Sequence, residues 1–301
     1  MKILVFGSGG VGGYYGARLQ QVGHEVVFVA RGAHAAAMRS KGLQIQSAAG
    51  DAQLQVKVVE KPEPADLILV AVKLWDTEAT AKAIAPVVNV KTSVISLQNG
   101  VDKDDVLTAA VGAEQVVGGV THIGAVIAEP GVIAHTGKLA RVTVGELTGG
   151  TSERVERIAA AFKEAGVEVK VSDDMRRTTW EKFCFLTAFS GLTSLTRRPI
   201  GQIRENPSTR ALLLAALHEA ILVARAEGAT LLETFEQQTV TQFDGVAPAM
   251  MSSMSQDLLR GSRLELPWLS GAVVRRAAKH GIPVPSHRAI QAALILYEQG
   301  A

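Results

Sequence analysis

The feature that most limits what this chain can fold into is a glycine run directly behind its first apolar segment. Residues 3–6 read ILVF, a short β-rich run, and GSGGVGG follows at once, so that Gly7, Gly9 and Gly12 fall in a G-x-G-x-x-G spacing. Residues 14–22 then have helical character, and EVVFVA at 25–30 is a second β-rich run. Strand, glycine turn, helix and strand in close succession is the context that gives this spacing its meaning. Gly7 permits the tight turn, Gly9 lets the backbone approach a pyrophosphate, and Gly12 allows close packing of helix on strand. The helix N-terminus offers N–H groups and partial positive charge to the phosphates. The turn from Gly7 through Ser8, Gly9, Gly10 and Val11 to Gly12 is therefore expected to bind a dinucleotide.

The end of the second β-run bears on which dinucleotide. An NAD site usually carries Asp or Glu there, holding the ribose 2′-hydroxyl. This chain has Ala30-Arg31-Gly32 instead. A guanidinium can pair with a 2′-phosphate through two parallel hydrogen bonds, so Arg31 favours NADP(H) over its plainer role as a surface arginine.

The alternation continues. ADLILVAVK (65–73) reads as a buried parallel-type strand ending at Lys73, and SVISLQNG (93–100) as another ending at Gln98-Asn99-Gly100. Ligands of open α/β sheets bind outside the carboxyl ends of the strands, which places Lys73, Gln98 and Asn99 to meet cofactor or substrate. Thr121 and His122 reach a similar edge, His122 more simply as a structural histidine. Strands at 132–135 and 141–146, a helix at 152–165 and a last strand at 167–172 are expected to close the domain. Beyond about residue 173 the strand signals stop. Helical patterns follow at 174–195, 208–228, 230–242, 253–260, 266–280 and 287–298, broken by Pro and Gly positions. The expected fold is an α/β Rossmann-type domain over 1–173 and an all-α domain over 174–301, with an active cleft between them.

Composition narrows the partners. The net charge of +2 leaves no footprint for nucleic acid. One cysteine, Cys184, can form neither an intrachain disulfide nor a metal cluster and suits a reducing cytoplasm. No metal site is expected. No apolar stretch reads as long enough to cross a bilayer, since ALLLAALHEAILVARAEG is interrupted by His218 and Glu219. The opening MKILVF is too short for a signal peptide. Apolar faces on the later helices would serve an internal core or a homodimer interface equally well.

One segment resists a purely structural reading. TWEKFCFLTAFSGLTSL (179–195) is helix-like and almost wholly apolar, yet it carries Lys182, with Phe185, Leu186 and Phe189 on the same face. Taken alone, the lysine would lay its stem on the core and lift its amine into water. Further on, SSMSQDLLRGSRLE carries Ser253 and Glu265. A helix cap accounts for Ser252 or Ser253, and Glu265 fits an ordinary surface acid.

Taken in order, GSGGVGGYYGARL, VKLWDT, SLQNGV, THIGAVIAEPGVIAHTG, WEKF, SSMSQDLLRGSRLE and AKHGIPVPSHRAI resemble the ketopantoate reductase (2-dehydropantoate 2-reductase) family over the whole chain. The resemblance implies NADPH-dependent reduction of the 2-oxo acid ketopantoate to a 2-hydroxy acid, on the pantothenate and coenzyme A route. It makes Lys182 the catalytic residue. Hydride arriving at a carbonyl carbon leaves negative charge on oxygen, and an ammonium in reach stabilises that charge and donates a proton. Glu265 becomes its partner acid, Asn99 a residue that binds the substrate hydroxyl or orients the lysine, and Ser253 a contact for the substrate carboxylate.

The chain also departs from the family. Its members typically carry asparagine four and eight residues after the lysine, where this chain has Leu186 and Ser190. A Pro-Asn-Gly segment becomes Pro199-Ile200-Gly201, and another asparagine becomes Ser270. The residue at 190 is the one expected to hold the substrate's terminal hydroxyl. These changes leave a second reading open, a reductase of another, less hydroxylated 2-oxo acid or related carbonyl compound. A non-catalytic NADP(H)-binding regulator fits less well, because a sensor needs no proton donor. A dehydrogenase of the 6-phosphogluconate or hydroxyacid group fits the W-x-K segment poorly.

Overall fold

The structure, a computed structural model, describes residues 1–300. The chain divides into two compact units: Met1–Asn99 with Lys103–Met175, and Gly100–Asp102 with the chain from Arg176 onward.

The strands of the first unit are β1 (Lys2–Phe6), β2 (Glu25–Val29), β3 (Leu43–Ser47), β4 (Ala52–Leu54), β5 (Lys57–Val59), β6 (Leu67–Val70), β7 (Ser93–Ser96), β8 (Val116–Glu129), β9 (Val132–Glu146) and β10 (Glu168–Val171). Its helices are α1 (Gly10–Gln21), α2 (Gly32–Lys41), α3 (Thr77–Ile84), α4 (Lys103–Val111) and α5 (Glu153–Glu164). The sheet runs β4-β3-β9-β8-β7-β6-β1-β2-β5, with β10 also on β9. β1 pairs in parallel with β2 on one side and β6 on the other, and β7 and β8 extend the parallel run. Parallel strands are covered on both faces and so read as unbroken apolar segments; all of β6 and β7 is buried. The chain leaves β1 for β2 and later returns to β6 on the other flank. The strand order thus reverses at β1, where an open α/β sheet forms its ligand crevice.

The C-terminal part of this unit differs from expectation. The two strands anticipated at 132–135 and 141–146 are one strand, β9, paired with β8 over 132–135 and again over 140–146. A register shift between Ile123 and Ala125 on β8 accommodates the interruption. The exposed stretch from Thr136 to Leu139 breaks the apolar pattern and has no register partner on β8, and pairing resumes at Ala140. The far edge of β9 is shared, taking β3 at 132–135 and β10 at 141–144. Under the sheet, the buried ring of Tyr15 meets Phe162 of α5 edge-on at 5.6 Å, with Ile3, Val5 and Phe28 in the same core.

In the second unit, α6 (Met175–Thr196) begins at the boundary and is followed by α7 (Ile200–Glu205), α8 (Pro207–Ala226), α9 (Phe235–Gly245), α10 (Ser253–Leu259), α11 (Ser270–His280) and α12 (Pro285–Leu294). Their ends carry recognisable local chemistry. Asn206 accepts from Ser208 and Thr209 N–H before Pro207 opens α8. Gly281, left-handed at φ 65°, ends α11. The expected helix at 266–280 is split: Pro267 lies in a short 3-10 turn, Leu266–Trp268, and Leu269 leaves helical geometry at ψ −101° before α11 starts.

A second correction concerns α8. By length and composition it is apolar enough to span a membrane, with a mean hydropathy of 1.2, because His218 and Glu219 interrupt neither the helix nor its average. Its apolar residues Leu213, Leu217 and Ile221 are instead buried in the core of this unit with Phe183, Cys184 and Leu192 of α6. Burial also pushes the Cys184 thiol far up, so it is an inert core side chain.

Candidate functional site

In the first unit the parallel register brings the ends of β1, β2, β6 and β7 to one edge, and backbone bonds tie them together. Gly7 N–H donates to Val29 O, Ala71 N–H to Phe6 O, and Leu97 N–H to Val70 O. Gly7–Gly12, Arg31, Lys73, Gln98 and Asn99 all follow these strand ends. The glycine turn has the geometry a pyrophosphate needs. Gly7 sits at φ +99°, and a side chain there would strike the Val72 backbone at 2.6 Å. A Cβ on Gly12 would lie 2.1 Å from Gly7 O, so α1 packs closely on the turn. Next to Gly9, by contrast, nothing lies within 4 Å of a built Cβ. Gly9 is the N-cap residue of α1 and supplies no side chain, and the first turn carries no acid to compete with an anion. This arrangement fits a bound dinucleotide.

The other residues on this edge differ in what they have to offer. Arg31 is exposed, immediately before α2, and forms no ion pair among the described residues. Lys73 is exposed, its Nζ 5.6 Å from the centre of the Trp75 ring. Gln98 is buried with its amide already engaged: Oε1 accepts from Ser96 Oγ, and Nε2 donates to Val72 O and Thr77 Oγ1. Its side chain braces the β6 and β7 ends, and Asn99 follows it half-buried. Thr121 is buried against Tyr15 Oη and Arg141 O, a structural position, and His122 beside it is half-buried. His34, which spacing alone did not single out, also reaches this turn and donates to Ser8 O.

In the second unit Lys182 is half-buried on α6, with Leu186, Phe189 and Thr193 following on nearly the same helical face. Phe185 extends the apolar part of this region, stacking on Phe189 at 5.7 Å and on Phe243 at 4.7 Å. Thr193 Oγ1 lies 2.9 Å from Ser252 Oγ. Ser252 caps α10 by accepting from Ser255 N–H, which leaves Ser253, next in the chain, exposed. Glu265 is buried at 6% exposure and opens the Leu266–Trp268 turn. Ser190 is fully buried, and its Oγ has no hydrogen-bond partner among the described residues. Ile200 is fully buried at the start of α7.

Ser270 belongs to a separate buried group. His287 Nε2 lies 2.9 Å from Ala216 O, which can only accept, so Nε2 carries the proton and Nδ1 accepts from Ser270 Oγ at 3.2 Å. The Glu219 carboxylate accepts from Ser286 and His287 N–H, capping α12. Burial pushes the His287 imidazole down to about 4.

An ion-pair network crosses this unit. Asp102 accepts from Arg275 at 2.9 Å and from Arg276 at 2.6 Å, Arg276 also pairs with Glu227, and Glu227 with His280 at 2.8 Å. Burial opposes ionisation of Glu227, but the His280 bond and the Arg276 charge hold its carboxyl below the ordinary range.

A reversing parallel sheet with this glycine turn, joined to a helical unit bearing a half-buried lysine, defines a two-unit oxidoreductase that uses a nicotinamide dinucleotide. The chain belongs to the ketopantoate reductase PanE/ApbA family, whose N-terminal model matches residues 3–149 and whose C-terminal model matches residues 174–298. It is 32% identical to a 2-dehydropantoate 2-reductase of Archaeoglobus fulgidus, over 96% of this chain and 95% of the relative. A solved PanE/ApbA family ketopantoate reductase from Ralstonia eutropha JMP134 is 34% identical, with a TM-score of 0.91 over 99% of this chain and 98% of that one. A D-mandelate dehydrogenase solved with NADH and anilino(oxo)acetate, 24% identical over 99% of this chain and 98% of its own, shares the fold with a TM-score of 0.91.

Proposed function

We propose that this protein reduces ketopantoate to pantoate with NADPH, in the supply of pantothenate and coenzyme A. The observation that carries the reading is Lys182, a half-buried ammonium on a helical face otherwise formed by Leu186, Phe189 and Thr193. When bound, the reduced nicotinamide supplies a hydride to the substrate's carbonyl carbon. Lys182 stabilises the charge that develops on the carbonyl oxygen and donates the proton. Glu265, a buried carboxylate in the same unit, favours the charged form of the lysine against desolvation. Asn99 binds the substrate hydroxyl or orients the lysine, and Ser253 receives the substrate carboxylate. On the cofactor side, Gly7 to Gly12 hold the pyrophosphate, Arg31 the 2′-phosphate, and Lys73, Gln98 and Asn99 complete the edge. A cytoplasmic location goes with this reading, supported by the single buried thiol.

A second reading keeps the chemistry and changes the substrate to a less hydroxylated 2-oxo acid. Leu186 and Ser190 favour it, as does the engagement of the Ser270 hydroxyl by His287. Losing one neutral hydrogen bond costs roughly 0.5–1.5 kcal/mol, up to about tenfold in affinity. Several lost together can redirect specificity.

The deciding experiment follows NADPH oxidation with ketopantoate and with a panel of 2-oxo acids, with Lys182→Ala alongside. Rapid turnover of ketopantoate at low concentration, lowered roughly 10²–10⁴-fold by the substitution, supports the first reading. Preference for an apolar oxo acid supports the second. Turnover that survives the substitution removes Lys182 from its role.

A further inference from the structure

We propose that His34 is a positioning residue for the cofactor, fixing the peptide that follows Ser8 in the phosphate-binding turn. His34 lies on the first turn of α2 and forms two backbone bonds, to segments distant from each other in sequence. Nε2 lies 2.9 Å from Ser8 O, and Nδ1 lies 3.0 Å from Gly131 N, in the turn between β8 and β9. The partners define the tautomer. A backbone N–H can only donate and a carbonyl can only accept, so Nδ1 carries the lone pair and Nε2 the proton. The half-buried ring is thus a neutral bridge, and burial, the larger influence on it, lowers its basicity.

The consequence lies in the geometry of one peptide unit. The C=O of Ser8 and the N–H of Gly9 belong to the same plane and point in opposite directions. Holding the carbonyl toward His34 therefore fixes the direction of the Gly9 N–H, at the glycine beside which nothing else crowds. Gly131 braces the ring from behind. A side chain on Gly131 would come within 3.1 Å of Ala37 Cβ, so the β8–β9 turn is itself seated on α2. Arg31, at the start of the same helix, shares this support. A phosphate-binding turn held in this way is set before the ligand arrives, and less order is lost on binding.

This inference rests on the dinucleotide reading of the turn and is independent of which oxo acid is reduced. The test is a fluorescence titration with NADPH of the wild type, His34→Ala and His34→Gln, with steady-state kinetics and thermal unfolding of each. The oxygen and nitrogen of a glutamine amide can serve Gly131 N–H and Ser8 O as the two ring nitrogens do. His34→Ala is expected to weaken NADPH binding about tenfold, from two lost bonds of ordinary strength, and to raise KM for NADPH in proportion. Its kcat at saturating cofactor stays within about twofold of the wild type, as expected for a loss of uniform binding. His34→Gln recovers most of the affinity. Unchanged binding by His34→Ala overturns the proposal, and so does a glutamine variant that folds yet binds no better than alanine. Should the alanine variant not fold, the glutamine variant decides: near-wild-type NADPH affinity upholds the bridge, and tenfold weaker binding with a native melting temperature overturns it. A wild type that binds neither NADPH nor NADH removes the cofactor reading itself.

Discussion

Thr193 and Ser252 share a hydrogen bond of 2.9 Å between buried hydroxyls, tying the helix that carries Lys182 to the start of the helix that carries Ser253. Both oxygens have a second commitment: Thr193 Oγ1 lies 2.7 Å from Phe189 O, and Ser252 Oγ accepts from Ser255 N–H. Thr193→Val keeps the shape and removes the link. The expected result is a loss of about 1 kcal/mol in urea denaturation, with a raised KM for the oxo acid because Ser253 follows Ser252 directly. The KM for NADPH stays unchanged. If neither stability nor the oxo-acid KM moves, the bond does not position Ser253.

Arg31 is exposed at the end of β2, where no acid stands to meet a ribose hydroxyl. Arg31→Asp should reverse cofactor preference, weakening NADPH by roughly tenfold to a hundredfold through loss of charge-assisted bonds while NADH is held as well or better. The measurement is the ratio of kcat/KM for the two cofactors. An unaltered ratio would show that the 2′-phosphate is read elsewhere.

His287 predicts how stability depends on pH. Its folded-state value, about 4, lies below the ordinary histidine value of 6.5. Between the two, the unfolded chain binds a proton that the folded chain excludes, so stability rises with pH across this window. The contribution is fully present above about pH 6.5 and is lost as pH falls toward 4, amounting to roughly 2–3 kcal/mol. Urea denaturation at pH 7, 5.5 and 4.5 measures it. His287→Gln should lower stability at pH 7 and flatten the slope; an equally steep slope in the variant would assign the dependence to other groups.

The parts of this molecule that could be read from its sequence are those specified by neighbouring residues. The glycine turn is one, because the positive φ of Gly7 and the close approach of Gly12 to Gly7 O arise within a single strand–helix unit. The long helix around Lys182 is another, its stretch from Phe183 to Leu195 mostly apolar and free of charged residues. What sequence alone missed depends on distant partners. β9 spans Thr136–Leu139 as one strand because β8 pairs with it on either side of that stretch, and a local polar segment does not reveal that neighbour. Gln98 stands at a strand end, and its amide partners Val72, Ser96 and Thr77 cannot be read from that position alone. Of Ser252 and Ser253, equal candidates for a cap by composition, only the packing of Thr193 distinguishes the roles. His34 left no local signal because both its partners, Ser8 and Gly131, are far away in sequence.

The three residues Gly100–Asp102 belong to the helical unit although the chain reaches them long before Arg176. Asp102 is the carboxylate that both Arg275 and Arg276 engage. A fragment beginning at Arg176 would therefore carry the guanidinium groups of Arg275 and Arg276 without the carboxylate that engages both. During synthesis the aspartate emerges first and must wait for α11 before its arginines exist. The helical half cut at its apparent boundary is consequently missing a piece of itself, the segment Gly100–Asp102. Any chimera built at residue 174 inherits residue 102 from the other parent, and must match it.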